Sequence, residues 1–120
     1  MFDFFLKGRK LKLGEEKRAP AKDKFPTYEL LKEVIILDIR LPEEVERYGE
    51  LEGAINIPFD KYFASKALML DKNKKYGVTD LRGIYINQAV DILKRLGFAA
   101  VELRGGFFYL TEVMNVKIKE

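Results

Sequence analysis

The stretch AVDILKRLGFAAVELRGGF, residues 89–107, decides the fold because it places a helix, a turn and a buried strand in direct succession. The predicted helix is IYINQAVDILKRLG (84–97), and its apolar residues from Ile86 onward recur at helical spacing, which marks one face for burial. Lys94 and Arg95 lie in the last turn, and Gly97 ends the helix. AAVEL (99–103) is a short apolar run of the kind that forms a strand buried on both faces. This order is typical of the βαβ units that build parallel sheets.

The segments before this stretch continue the same alternation. VIILDI (34–39) and YGVT (76–79) are predicted strands, and AINIP (54–58) is a short strand ended by its proline. The sequence therefore predicts an α/β fold, one domain with a mainly parallel central sheet flanked by helices on both faces. The other predicted helices are YELLKE (28–33), LPEEVERYG (41–49), FDKYFASKALML (59–70) and FFYLTEVM (107–114).

Composition excludes several kinds of chemistry. The 120 residues include no Cys and no His, one Ser and three Thr. Disulfides, thiolate metal sites and thiol nucleophiles are therefore excluded, together with the usual general base at neutral pH. We expect no cofactor and no metal. Abundant Lys and Glu beside a single Gln resemble the surface of a thermophile protein.

The charge divides the chain into a leader with a linker, 1–24, and a domain, 25–120. The leader carries eight Lys/Arg against four Asp/Glu, a net +4, and the domain fourteen against fifteen, a net −1. The domain has no basic stripe, so we expect no nucleic-acid partner. No run approaches the roughly 18 apolar residues of a membrane span. The apolar residues at the start precede the charges, unlike a secretory signal, so we expect a cytoplasmic protein without stable membrane insertion.

The leader itself supports two interpretations. It mixes the apolar residues Phe2, Phe4, Phe5 and Leu6 with Lys7, Arg9, Lys10 and Lys12. Such a segment can anchor to an anionic membrane or dock on a protein. Alternatively, its aromatic cluster packs on the domain, or the segment orders only when something binds it.

Three segments in the right order resemble the rhodanese-like (sulfurtransferase) domain family. DIR (38–40) matches the Asp-Val-Arg motif of that family, and YGELEGAINIP (48–58) matches Gly-His-Ile-Pro-Gly-Ala-x-Asn-Ile-Pro. AVDILKRLGFAAVELRGGF matches the closing helix, Leu-Gly-Phe turn, strand and Gly-Gly turn. The resemblance covers about residues 28–110.

The resemblance implies that the catalytic loop of the family is DLRGIY (80–85) in this chain. That loop usually has six residues and opens with a Cys, whose thiolate accepts sulfur as a persulfide. A carboxylate cannot do this, so we expect neither sulfur transfer nor the chemistry of the related Cys-dependent phosphatases. In the family pattern, Asp80 takes the Cys position, Gly83 the Gly position and Tyr85 the position of a second Arg. The residues between them are Leu81, Arg82 and Ile84. A second departure is Glu50, which replaces a His.

Two roles are open for Asp80. Its carboxylate can accept hydrogen bonds from loop N–H groups and act as the bound anion of its own loop, which closes the loop to substrate. Alternatively, Asp38 and Asp80 at the carboxyl ends of strands hold Mg²⁺ for phosphoryl transfer, as in receiver domains. Receivers carry paired acidic residues after the first strand, whereas here a single Asp is followed by Ile-Arg.

The remaining polar residues also have alternative roles. The resemblance implies that Arg40 braces the loop, and an ion pair with Asp38, Glu44 or Asp80 is the other interpretation. Arg82 either binds an external anion or is neutralised by Asp80. Glu50 is interpreted as a solvated turn residue.

The function predicted from the sequence is non-catalytic. We expect a rhodanese-like binding or regulatory module whose partner is another protein; the alternative is the carboxylate and Mg²⁺ enzyme. Tyr85, Phe107, Phe108 and Tyr109 either surround the loop mouth as a binding surface or belong to the core. Neither the partner nor the oligomeric state is specified by the sequence.

Overall fold

A computed structural model describes residues 25–120, so the predicted leader and linker lie outside the described residues. The described part contains four strands: β1 (Ile35–Asp38), β2 (Ile55–Asn56), β3 (Lys75–Thr79) and β4 (Ala99–Glu102). Its helices are α1 (Tyr28–Glu33), α2 (Pro42–Tyr48), α3 (Phe63–Ala67), α4 (Ile86–Arg95) and α5 (Gly106–Phe108), the last continued by a π-helical turn, Tyr109–Val113.

The four strands form one parallel sheet in the order β2-β1-β3-β4. Asp38 at the end of β1 is in register with Thr79 at the end of β3. Parallel strands end at the same edge of their sheet, so Asp38 and the loop that follows Thr79 lie at a common edge. This is the edge at which open α/β sheets bind ligands.

Side chains on the two faces of the sheet enter two separate cores. Leu37 and Val78 pack with Ala89 and Leu93 of α4 and with Phe63 of α3. On the other face, Leu103 packs with Leu51, Phe107, Leu110 and Met114. Helices thus cover both faces, and the predicted α/β fold with a parallel sheet is confirmed.

Three helices differ from their predicted bounds. Helix α4 begins at Ile86, two residues after its predicted start. The predicted helix 59–70 is shortened to α3 because Asp60 caps a turn, its Oδ1 accepting a hydrogen bond from Tyr62 N–H at 2.9 Å. The closing helix begins at Gly106 and widens into the π-helical turn. The tail that follows was not predicted to pair, yet Ile118 forms an antiparallel bridge with Leu51.

None of the helices within residues 25–120 has the length and apolar character required to cross a membrane.

Candidate functional site at the carboxyl ends of the strands

The loop 80–85 joins β3 to α4 and is closed around its first side chain. Asp80 is only 5% exposed. One oxygen of its carboxylate accepts a hydrogen bond from Gly83 N–H, and the other accepts one from Tyr85 N–H at 2.7 Å. These peptide groups supply partial positive charge without any cationic side chain. The carboxylate therefore occupies the inside of the loop in the manner of a bound anion.

Glycines allow the loop to pack tightly against the start of α5. Gly83 has a φ of +87°, which favours glycine. A Cβ on Gly106 would lie 2.8 Å from Leu81 O and 2.9 Å from Gly83 N, so a larger residue would collide with the loop backbone. Phe107 N–H also donates a 2.7 Å hydrogen bond to the Asp80 carbonyl. The Gly105-Gly106 turn thus packs directly against the backbone of the loop.

Asp38 and Arg40 form a buried ion pair at the same edge. They are 2% and 1% exposed. Arg40 Nε and Nη2 donate to both carboxylate oxygens, with distances of 2.7–3.0 Å. Nη2 also donates to Gly49 O at 2.8 Å, and the guanidinium carbon lies 4.1 Å from the Phe107 ring centroid. Of the three partners considered for Arg40, the structure selects Asp38.

The geometry gives no support to the Mg²⁺ alternative. Both oxygens of Asp38 accept hydrogen bonds from Arg40, and both oxygens of Asp80 accept hydrogen bonds from the loop. A cation at either carboxylate would have to displace these donors. Within residues 25–120, no cluster of three or more His, Cys, Asp or Glu is placed to hold a metal ion.

Beside the loop is a cavity of about 580 Å³, which we call the loop hollow. Its rim is apolar and open to solvent: Leu41, Ile84 and Tyr85 are 40%, 63% and 50% exposed. The Tyr85 ring lies 5.9 Å from that of Phe59, which extends the rim. The residues that line the hollow are Ile39, Arg40, Leu41, Glu44, Phe59, Asp80, Leu81, Arg82, Ile84 and Tyr85.

Arg82 and Glu50 take no part in the hydrogen bonds of the Asp80 carboxylate. The Arg82 guanidinium carbon is 5.3 Å from the Phe108 ring centroid, and in the described part of the chain Arg82 makes no ion pair with Asp80. Glu50 is exposed and its Oε1 is 3.8 Å from Lys119 Nζ. No local sequence feature indicated this partner, because Lys119 belongs to the distant tail.

The four aromatic residues considered for the loop mouth belong to different surroundings. Tyr85 makes a tilted ring contact with Phe59 at the rim, whereas Phe107 and Phe108 pack with Tyr48 on the opposite face of the sheet. Tyr109 contacts Phe25. Phe59 was not predicted as a rim residue. It follows Pro58 just beyond the carboxyl end of β2, and this position alone could have indicated a place at the rim.

The family model of the rhodanese-like domain matches residues 26–112. The chain belongs to the rhodanese-like domain family. Thiosulfate sulfurtransferase PspE of Escherichia coli (strain K12) is 33% identical over 84 residues, which cover 69% of this chain and 77% of PspE. The resemblance inferred from the three motifs is confirmed.

Solved structures of rhodanese relatives show the same fold. A rhodanese-related protein from Thermoplasma volcanium is 32% identical with a TM-score of 0.58, and the match covers 72% of this chain and 84% of that one. A rhodanese-like domain protein from Staphylococcus aureus is 28% identical with a TM-score of 0.61, covering 72% and 82%. Within this family, the present chain combines the fold with a sequence that contains no cysteine.

Proposed function

We propose that this rhodanese-like domain is non-catalytic and binds another protein through the rim of the loop hollow. The observation that carries the proposal is the carboxylate of Asp80, which accepts two loop N–H groups at the position where the family resemblance places the cysteine. A persulfide requires a thiol sulfur, and the chain has none. A loop filled by its own carboxylate also has no free donors at Gly83 and Tyr85 for an incoming anion.

The rim supports the binding half of the proposal. Leu41, Ile84 and Tyr85 are exposed apolar residues around one concave site. Contiguous apolar surface of this kind marks interaction sites more often than isolated exposed residues do, and tyrosine is enriched among the residues that dominate binding energy.

The predicted cytoplasmic location belongs to the same proposal, and recovery of the full chain in a membrane or secreted fraction would contradict it.

The catalytic half is tested with a thiosulfate–cyanide assay on the full chain. We expect no thiocyanate above the blank without enzyme, with PspE as the positive control. Asp80→Cys alone is expected to gain little activity, because Leu81 and Tyr85 do not supply the cationic loop side chains of the family. Turnover by the unaltered chain overturns the proposal. Full activity of Asp80→Cys would show that the loop is a functional active-site loop that lacks only the cysteine thiol.

The binding half is tested by substituting the rim. Ile84→Ser combined with Tyr85→Ser removes apolar surface without touching the donors to Asp80, which are backbone groups. The matched control is Tyr62→Ser with Met69→Ser, two residues that are 53% and 87% exposed outside the hollow lining. Proteins captured by the full chain are expected to be lost with the rim variant and retained with the control. Equal retention by both variants would contradict binding at the rim.

A further inference from the structure

We propose that residues 50–52 form a strand-binding edge for a short basic segment of another protein. The tail of this chain, residues 115–120, covers the edge until such a segment replaces it. The surface is separate from the loop hollow. The hollow is lined by Leu41 and Glu44 at the start of α2, whereas the groove beside the tail is lined by Glu46 towards the end of that helix.

The tail pairs with the edge as one antiparallel strand pairs with another. Glu52 N–H donates a hydrogen bond to the carbonyl of Lys117 at 2.9 Å, and Lys119 N–H donates to the carbonyl of Glu50 at 2.8 Å. These two bonds flank the bridge already described between tail and edge, so each lysine lies opposite a glutamate. Backbone pairing of this kind is open to any extended segment, and the side chains decide which segment binds.

One position beside the edge receives an apolar side chain. Ile118 Cγ2 lies 2.6 Å from the position that a Cβ on Gly49 would take, so only a glycine leaves room for it. Gly49 has a φ of +97°, which also favours glycine. Its carbonyl accepts a 2.8 Å hydrogen bond from Arg40 Nη2, which fixes the backbone at this point. The bound segment therefore carries an apolar residue between its two cations, as the tail does.

The charge of the surface favours a basic segment. Residues 43–52 contain five Glu and one Arg, a net −4. From the domain, the groove beside the tail is lined by Glu46 and Glu50 and by no Lys or Arg among the described residues. Glu120 of the tail adds a third carboxylate to the same groove. A segment with Lys at the position of Glu120 is therefore expected to bind better than the tail itself.

The tail is held weakly enough to be exchanged. Ile118 is 44% exposed although it covers the glycine. Lys119 Nζ lies 3.8 Å from Glu50 Oε1, but both side chains are exposed, and exposed pairs contribute little. In the described part of the chain, two backbone hydrogen bonds join the tail to residues 50–52. Segments with few buried contacts open locally while the rest of the domain stays folded.

Hydrogen exchange on the full chain tests this opening. The amides of Glu52 and Lys119 are expected to exchange about 100-fold faster than the amide of Ile39, after correction for intrinsic rates. Ile39 N–H is the reference because it donates to Thr79 O at 2.8 Å within the sheet. Equal rates at the three amides would show that the tail opens only when the domain unfolds, and would overturn the proposal.

A peptide added to the full chain tests the chemistry of the segment. The probe is NVKIKK, the tail sequence with Lys in place of its last residue, with blocked ends and a fluorophore for anisotropy. Ile118→Ser weakens the tail and is expected to bind the probe about tenfold more tightly than the unaltered chain, because more molecules have a free edge. The peptide NVKIKE is expected to bind more weakly than the probe, and NVEIEE not to bind. Absence of binding to Ile118→Ser, or equal binding of the acidic peptide, contradicts the proposal.

The absence of cysteine in the sequence allows the tail to be locked. Glu50→Cys with Lys119→Cys places two thiols at opposite positions of paired strands, where a disulfide fits. The oxidised variant is expected to lose the probe binding of its reduced form, which is the matched control because it carries the same substitutions. Binding that survives oxidation would place the probe elsewhere. A disulfide between chains on a non-reducing gel would mean that a second copy donates the tail, which also overturns the proposal.

The outcome is separate from the test of the proposed function. Ile84→Ser with Tyr85→Ser changes the rim alone and is expected to bind the probe as the unaltered chain does. Loss of the probe in this rim variant would place the peptide in the hollow and remove the strand-binding edge. Probe binding at the edge, with no protein captured through the rim, would remove the proposed function and leave the edge standing.

Discussion

Two buried carboxylates lie at the same edge of the sheet, and the protein stabilises them in different ways. Asp38 receives a full positive charge from the side chain of Arg40, whereas Asp80 receives only peptide N–H groups of its own loop. The donor to Asp38 can be removed by one substitution. The donors to Asp80 are backbone groups, so only the carboxylate itself can be changed. The first site depends on side-chain chemistry and the second on loop conformation.

Breaking the Asp38 pair is expected to have the largest effect. Arg40→Ala leaves a buried carboxylate without its countercharge, and such losses destabilise the folded state by about 3–5 kcal/mol. The measurement is the free energy of unfolding in urea. Arg95→Ala is the matched control, because Arg95 pairs with Asp91 at 2.8 Å in an exposed position. That pair is expected to contribute about 0.5 kcal/mol or less. Similar losses in the two variants would show that Asp38 does not need its partner.

Removing the Asp80 carboxylate is expected to have a smaller effect. Asp80→Ala leaves the N–H groups of Gly83 and Tyr85 without their acceptor, which is expected to cost about 1–2 kcal/mol. Hydrogen exchange at those two amides should accelerate relative to amides of β1 and β3. Asp80→Asn retains one acceptor oxygen and is expected to lie between Asp80→Ala and the unaltered chain. An unchanged unfolding free energy in Asp80→Ala would contradict the role of the carboxylate in the loop.

Tyr76 is a third buried ionisable side chain, and it lies at the opposite end of the sheet from Asp38 and Asp80. Burial raises the pKa of Tyr76 above its usual 10.0, and the nearby Asp71 carboxylate adds to the increase, while the hydrogen bond to the Asp71 carbonyl, at 2.8 Å, opposes it. The folded state therefore favours the neutral phenol. Its contribution to stability is complete below pH 10 and is lost as pH rises through the higher pKa of the folded state.

Tyr76→Phe tests this dependence and is expected to give the smallest effect. At neutral pH it removes one hydrogen bond, at a cost of about 1 kcal/mol. Between pH 8 and pH 11 the unaltered chain is expected to lose stability that the variant keeps, once common losses are subtracted. Parallel unfolding free energies across that range would show that the tyrosine does not titrate differently in the folded state.

The sequence predicted the fold because its motifs are local and ordered along the chain. Residues 86–97 carry the helix periodicity and its stop, and these features do not depend on distant contacts. The position of the loop was predicted from the same motifs, because the helix that follows the loop aligns Asp80 with the Cys position of the family. The length of helix α3 was overestimated because the Asp60 side chain forms a turn with Tyr62 N–H, and this turn competes with helical hydrogen bonding.

The contacts that the sequence did not predict join residues that are far apart along the chain. The ion pair of Arg40 is the exception, because three carboxylates were left open and the structure pairs it with Asp38, only two residues away along the chain. Phe59 and Tyr85 meet at the rim because β2 and the loop end at the same edge. The bridge between Leu51 and Ile118 likewise depends on the path of the tail, which carries no motif.

The hydrogen bonds of Asp80 have a consequence for how the loop responds to its surroundings. A loop that binds a dissolved anion is stabilised in proportion to the logarithm of the anion concentration, so its order follows the composition of the medium. A ligand attached to the chain is present at every dilution. The conformation of residues 80–85 should therefore be insensitive to the sulfate, phosphate or thiosulfate content of the solution, and the loop offers the same surface whatever metabolites are dissolved around it.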